Sequence, residues 1–131
     1  MLIEEYFQTI RTAISACNAV ESFSLDSEKR DTYEGFIRGE VKFINGSILS
    51  IREFVSVETT IERDMYAYQY MDAQNTLIFR YDNTPHHKKL NLPTYPHHKH
   101  NKSETNVIAS SAPMLVEVLQ EILDQMSNSI V

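Results

Sequence analysis

His86, His87, His97, His98 and His100 are all the histidines of this 131-residue chain, and they fall within fifteen residues. They sit in residues 80–102, RYDNTPHHKKLNLPTYPHHKHNK, beside Arg80, Lys88, Lys89, Lys99, Lys102 and a single acid, Asp82. Five basic residues against one acid leave this window at +4, whereas the rest of the chain, with seven against seventeen, stands at −10. Imidazole is the side chain that both gives and takes a proton near neutral pH. Grouped with Arg and Lys, it points to chemistry or binding at phosphate.

Three readings compete for the segment. In the first, two of His86, His87, His97, His98 and His100 act as general base and general acid in cleaving an RNA phosphodiester. One takes the proton of the 2′-hydroxyl and the other protonates the departing 5′-oxygen. Arg80 or Lys99 neutralises charge on the phosphoryl oxygens, and Asp82 holds an imidazole in its productive tautomer. Tyr81 and Asn83, which flank Asp82, are further candidates for substrate contact. This scheme needs no metal and no cofactor. In the second reading His98 and His100, as His-x-His, join one histidine of the other pair to supply three nitrogen ligands to a metal, and Asp82 adds an oxygen. The third is structural: stiff His-Pro loops whose ring N–H groups satisfy buried carbonyls. Composition alone does not choose among them.

Length and composition set the frame. A chain of this size makes one domain, residues 1–131, burying roughly two thirds of its unfolded surface. No window approaches the ~20 apolar residues of a membrane span, and the opening MLIEEYFQ carries acids where a secretory signal carries bases. A soluble, cytoplasmic protein is therefore expected. Cys17 is the only cysteine, so intrachain disulfides and Cys-based zinc motifs are excluded. The net charge of −6 argues against bulk nucleic-acid binding and makes any RNA contact local. The same charge split suits a mixed-charge protein partner.

The elements that must hold the histidines follow from hydrophobic period. In residues 2–17, Ile3, Phe7, Ile10, Ile14 and Cys17 recur at steps of four and three, one stripe of an amphipathic helix. Glu4 and Glu5 suit its positive end. The period then becomes two, first in a short run over residues 20–25 and then through residues 32–81. Tyr33, Ile37, Val41 and Phe43 alternate with Glu34, Arg38, Glu40 and Lys42. Leu49, Ile51, Val55 and Val57 alternate with Ser50, Arg52 and Ser56.

Asn45-Gly46 between these runs marks a hairpin. A two-residue turn there would scramble both faces, whereas a three-residue loop with Gly46 as a bulge pairs odd positions with odd. The second choice gives an apolar face with one acid, Glu53, to explain. Its reverse carries Arg38, Glu40, Lys42, Ser50 and Arg52, with Phe36 and Phe54 paired across the strands. Gly35 and Gly39 fall on the apolar side, where a helix backbone could come close. Arg38 and Arg52 could reach phosphate or an acidic partner. Tyr66, Tyr68 and Tyr70 of a strand over residues 60–71 could stack on bases, although tyrosine is common in strands.

A turn at residues 72–75 leads to a strand over residues 76–81. Residues 101–106 read as a mobile polar loop. Pro113 suits the first position of a last helix, with the stripe Leu115, Val118, Leu119, Ile122 and Met126. The expected fold is α+β: an antiparallel β-meander of four or five strands covered on one face by N- and C-terminal helices. The histidine segment then leaves a rigid strand end and folds back as a loop shaped by Pro85, Pro93 and Pro96, its two PHH pairs facing each other.

The strings FRYDNTPHH and TYPHHKH, followed by a polar gap and a Pro-initiated amphipathic helix, resemble the TumE-type toxins of prokaryotic toxin-antitoxin modules. YEGFIRGEVKF, NGS and IREF extend the resemblance over residues 33–122. It implies a small cytoplasmic toxin neutralised by direct contact with a cognate antitoxin that carries a DNA-binding region. It supplies a role and not a reaction. The matching positions are Arg80, Asp82, Asn83, Pro85, His86 and His87, then Pro96, His97, His98 and His100. Met114 and Leu115 stand where a more acidic first turn is expected. Because most small toxins act on RNA or translation, the resemblance moves ribonuclease chemistry to the front. A non-catalytic growth inhibitor that binds a cellular target follows, with the His-coordinated metal protein also open. The tyrosine-rich strand and acidic surface would suit a homodimer or an antitoxin equally.

Overall fold

The apolar stripe of the N-terminal segment becomes helix α1, Ile3–Ser15, in the computed structural model, which describes residues 1–128. Ile3, Tyr6, Phe7, Ile10 and Ile14 are buried, and the Glu5 carboxylate accepts a hydrogen bond from the Leu2 N–H. Cys17 lies just past the helix as a partly buried free thiol packed on the core.

Five long strands follow: β1 (Val20–Lys29), β2 (Glu34–Phe43), β3 (Ile48–Ser56), β4 (Glu62–Met71) and β5 (Leu77–Asp82). β1 runs beyond the expected 20–25 because every residue from Ser22 to Lys29 is registered with β2, ending with Lys29 opposite Gly35. Asn45-Gly46 belongs to a three-residue loop at residues 44–46, with Gly46 at φ 85° and Val41 opposite Leu49. Odd pairs with odd, as the bulged hairpin requires.

The single acid on the apolar face, Glu53, is fully buried. Its Oε2 accepts a hydrogen bond from the Tyr68 hydroxyl at 2.6 Å, and its Oε1 accepts one from the Tyr6 hydroxyl of α1. Arg63 donates to the Tyr68 oxygen at 3.1 Å, which extends the chain of donors to a guanidinium. A buried carboxylate is tolerable only with such partners.

The sheet does not stop at five strands. Two more, β6 (His98–Asn101) and β7 (Val107–Ala109), continue it in the order β1-β2-β3-β4-β5-β6-β7, every neighbouring pair antiparallel. The expected four or five strands are thus seven within the same α+β class. Residues 101–106, expected as a mobile loop, instead close the β6–β7 hairpin. Asn101 N–H donates to Asn106 O, and the Asn106 amide donates back to Asn101 O.

Helix α2 (Leu115–Asn128) buries Leu115, Val118, Leu119 and Ile122. It begins two residues after Pro113, because the carbonyls of Ala112 and Pro113 are taken by Arg63 at 2.8 Å each. Glu117 instead accepts from the Met114 N–H. Both α-helices cover the odd face of the sheet, and among the described residues no α-helix lies on the other. At Gly35 an added Cβ would come within 2.6 Å of Phe7 Cζ, so α1 rests directly on that strand. At Gly39 the obstacle is the Ser24 carbonyl of β1, at 2.0 Å, and not a helix. Among the described residues no helix is long and apolar enough to cross a membrane. The last three residues of the expected 1–131 domain lie outside the described residues.

Candidate functional site

Strand alternation decides which histidines meet. Asp82 of β5 is registered with His98 of β6, and Arg80 with His100. All four therefore point to the helix-free face, since residues two apart on a strand share a face. Tyr81 and Lys99, registered with each other between these pairs, point the opposite way.

Asp82 is the hub. Its side chain is 2 % exposed, and Oδ1 accepts hydrogen bonds from Thr84 N–H at 3.0 Å and Thr84 Oγ1 at 2.7 Å. Oδ2 accepts from Arg80 Nε at 2.8 Å, and Arg80 also donates to Gln69 Oε1 at 2.9 Å. Burial by itself pushes this carboxyl up, but the bonds from Arg80 and Thr84 and the nearby His98 ring outweigh it and hold the pKa below the usual carboxylate value.

His98 and His100 are buried above it, with Nε2 at 2.9 Å from Asp82 Oδ1 and 3.6 Å from Oδ2 respectively. Each ring has its other nitrogen engaged: His98 Nδ1 lies 2.9 Å from the Pro96 carbonyl and His100 Nδ1 lies 2.9 Å from the Glu104 carbonyl. A carbonyl only accepts, so Nδ1 carries the proton in both rings. His87, half-buried on the loop after β5, completes the group. Its ring centre lies 4.8 Å from that of His98 and 5.4 Å from that of His100. One ring nitrogen from each of the three lies within 4.8 Å of the others.

An open groove of about 890 Å³ adjoins His87, with His86, Lys88 and Lys89 on one wall and Glu104 and Val107 on another. His86 is exposed at its rim. The same face carries a row of paired residues, Asp26, Arg38, Arg52, Ala67, Asp82 and His98, one from each of β1 to β6. The small Ala67 leaves the surface low between Arg52 and the hub. Phe36 and Phe54, paired across β2 and β3 and half-buried, lie on this face too, with Arg30 5.5 Å above the Phe54 ring.

Four expected site residues are built into the scaffold elsewhere. His97, one residue before His98, turns to the helix face, where Nδ1 meets the Tyr66 hydroxyl at 2.8 Å and the rings stack at 5.7 Å. Burial, then the charge of Arg63 and the His98 ring, lowers its pKa. Lys99 and Tyr81 both bind Glu121 of α2, at 3.2 and 2.6 Å. The Asn83 side chain accepts from Tyr66 N–H and donates to Asp64 O, clamping β4 to the end of β5. The tyrosines expected as stacking platforms are core: Tyr66, Tyr68 and Tyr70 are almost fully buried. The two PHH pairs therefore do not face each other as pairs; one member of the first and one of the second converge, joined by His100.

Thr84 and Gln69, which orient Asp82 and Arg80, were not anticipated. The string Arg80-x-Asp82 followed by His98-x-His100 carried the signal, because both are period-two pairs. Reading the second as a strand would have placed all four side chains on one face.

No curated protein and no solved structure matches this chain. A family model described as toxin TumE matches residues 10–130. The buried carboxylate and its ring of imidazoles thus lie within the matched span, and the chain belongs to the TumE toxin family.

Proposed function

We propose that this toxin acts by cleaving RNA, with its reaction centre at Asp82, His87, His98 and His100. The observation that carries the reading is the convergence of three imidazoles over one buried carboxylate, on the sheet face that neither α1 nor α2 covers. Arginines lead to it. With strands ~4.8 Å apart, Arg52 lies two strands, roughly 10 Å, from Asp82, and Arg38 one strand further. A single strand of RNA laid across β2, β3 and β4 would meet Arg38 and Arg52 at its phosphates and the Phe36–Phe54 pair at a base. The overall acidity of the chain then confines binding to this track.

Cleavage requires that the 2′-hydroxyl lose a proton as its oxygen attacks phosphorus, and that the 5′-oxygen gain one as its bond to phosphorus breaks. The products are a 2′,3′-cyclic phosphate and a 5′-hydroxyl. This proton traffic falls to imidazole. His87 is the least buried of the three and borders the groove, so it exchanges protons with substrate and solvent. His98 and His100 turn Nε2 toward Asp82, which stabilises whichever ring is charged. Arg80, its side chain 30 % exposed, offers positive charge to a phosphoryl oxygen.

A protein antitoxin that covers the helix-free face would block the centre and the arginine track together. The test uses purified toxin freed of antitoxin and end-labelled single-stranded RNA. Cyclic-phosphate products that vanish in His87→Ala and weaken in Arg38→Ala/Arg52→Ala, with a smaller salt dependence of binding, support the reading. Growth inhibition without RNA cleavage, unchanged by His87→Ala, favours instead a toxin that binds a cellular target without catalysis.

A further inference from the structure

We infer that His87, His98 and His100 form a binding site for a divalent first-row transition ion of the zinc type, with Asp82 as a fourth oxygen ligand or an immediate neighbour. The inference rests on the same side chains as the RNA-cleavage reading but not on that reaction.

Tautomer is the first support. Because both Nδ1 atoms are tied to backbone carbonyls, the neutral rings of His98 and His100 present Nε2 as a bare lone pair. That is the state a metal-ligating imidazole requires, fixed by the outer hydrogen bond such ligands usually have. In His98 this nitrogen is fully buried and lacks a hydrogen-bond partner, although Asp82 Oδ1 is only 2.9 Å away. The distance suits a bond, but with the ring proton on Nδ1 neither Nε2 nor the carboxylate has a hydrogen to share. A buried lone pair beside a carboxylate oxygen is a repulsive pair that a cation between them relieves.

Geometry is the second. An ion held by three imidazoles lies in the plane of each ring. These planes are inclined to one another by 74°, 72° and 77°, so the rings meet edge to face and none stacks over another's in-plane lone pairs. Metal–nitrogen bonds of ~2.0–2.1 Å in a tetrahedron set the nitrogens about 3.4 Å apart. The present spread reaches 4.8 Å, so closure needs about an ångström of inward movement. His87, on a loop, is the ring free to move inward, while His98 and His100 are held on β6. The contacts of Asp82 with Nε2 of His98 and His100, 2.9 and 3.6 Å, are of the size found between neighbouring donors on one ion. Imidazole with carboxylate suits zinc, iron, cobalt or nickel better than magnesium or calcium. A resident ion would polarise a phosphoryl oxygen as a Lewis acid. The imidazoles would then serve as its ligands, and the metal-free scheme read from the sequence would give way.

The probe is cobalt(II) added to the full chain, purified without an affinity tag and stripped by chelator. The expected result is saturable uptake of a single ion per chain, with the visible ligand-field absorption of a low-coordinate site, displaced by zinc. His87→Ala should weaken cobalt binding by at least the roughly 10–100-fold that loss of even an outer-shell partner costs. His86→Ala, which removes an exposed imidazole outside the set, should leave uptake unchanged. His87 is a loop residue, so its variant keeps the fold, checked by circular dichroism, where His98→Ala could unfold. Absent uptake, or uptake indifferent to His87→Ala, overturns the site. Cobalt bound as expected with no RNA cleaved keeps the site and removes the nuclease; RNA cleaved in chelator by protein that takes up no cobalt does the reverse.

Discussion

Asp82 and His98 face each other across β5 and β6 with Oδ1 and Nε2 2.9 Å apart and each side chain 2 % exposed. The carboxylate also holds Arg80 and Thr84, so it is the common partner of a buried polar group. Asp82→Ala should cost about 3–5 kcal/mol, the range for leaving buried charged and polar partners unpaired. Asp82→Asn keeps the volume and some of the bonds and should cost less. Urea unfolding of the two variants checks the order, and equal stability for Asp82→Ala and the unchanged protein would remove Asp82 from its central place.

His97 offers a sharp contrast with its neighbour. It sits on the helix face, bonded to the Tyr66 hydroxyl, while His98 sits on the open one. His97→Ala should therefore retain toxicity while losing about 1–2 kcal/mol, the cost of leaving a buried hydroxyl without its partner. His100→Ala should abolish toxicity. Growth assays paired with thermal melts separate the two effects. Loss of toxicity in a well-folded His97→Ala variant would move the working site to the helix face.

These neighbours also mark how far the sequence could be read. The Asn45-Gly46 loop was legible because a two-residue turn would have put Val41 beside Ser50, and burial forbids that. Glu53 stood out on the odd face for the same reason. Strand β6 was illegible because its buried positions are His98 and His100, and hydrophobic alternation cannot register imidazole; β7 is three residues long with no buried position, too short to show a period. A segment taken for a loop let His97 and His98 share a site; a strand forces them apart. Thr84 and Gln69 matter only through contacts made after folding, which no local pattern records.

Glu53 explains why the apolar face tolerates an acid, and that explanation has a cost attached. Replacing it with Gln leaves an N–H₂ group facing one of two tyrosine hydroxyls that now donate to carboxylate oxygens. Glu53→Gln should destabilise the fold by about 1–3 kcal/mol. The loss should shrink in Tyr6→Phe, where one of those hydroxyls is gone. A double-mutant cycle by urea unfolding measures the coupling, and additivity of the two changes would mean that the buried network is not shared.

Buried tyrosines give the fold a pH limit on the alkaline side. Burial, the first cause in each case, pushes the phenols of Tyr6, Tyr66, Tyr68 and Tyr81 above their ordinary value. Glu53 adds to the rise at Tyr6 and Tyr68, and Glu121 does so at Tyr81. Tyr66 reaches about 12, with Arg63 opposing the rise. A phenol with a raised pKa stays protonated in the fold while the unfolded chain ionises near pH ~10. Its contribution to stability is therefore complete below about pH 10 and is lost as pH rises toward the folded value. Each such phenol lowers stability by about 1.4 kcal/mol per pH unit in that window, so the four together should make the decline steep. Urea midpoints followed from about pH 8 to about pH 11 should be flat and then fall. Tyr66→Phe should reduce the slope of the fall by one proton, whatever it does to stability at neutral pH. A midpoint that stays level through this range, with phenolate absorbance already developed in the folded protein, would mean that these hydroxyls are open to solvent.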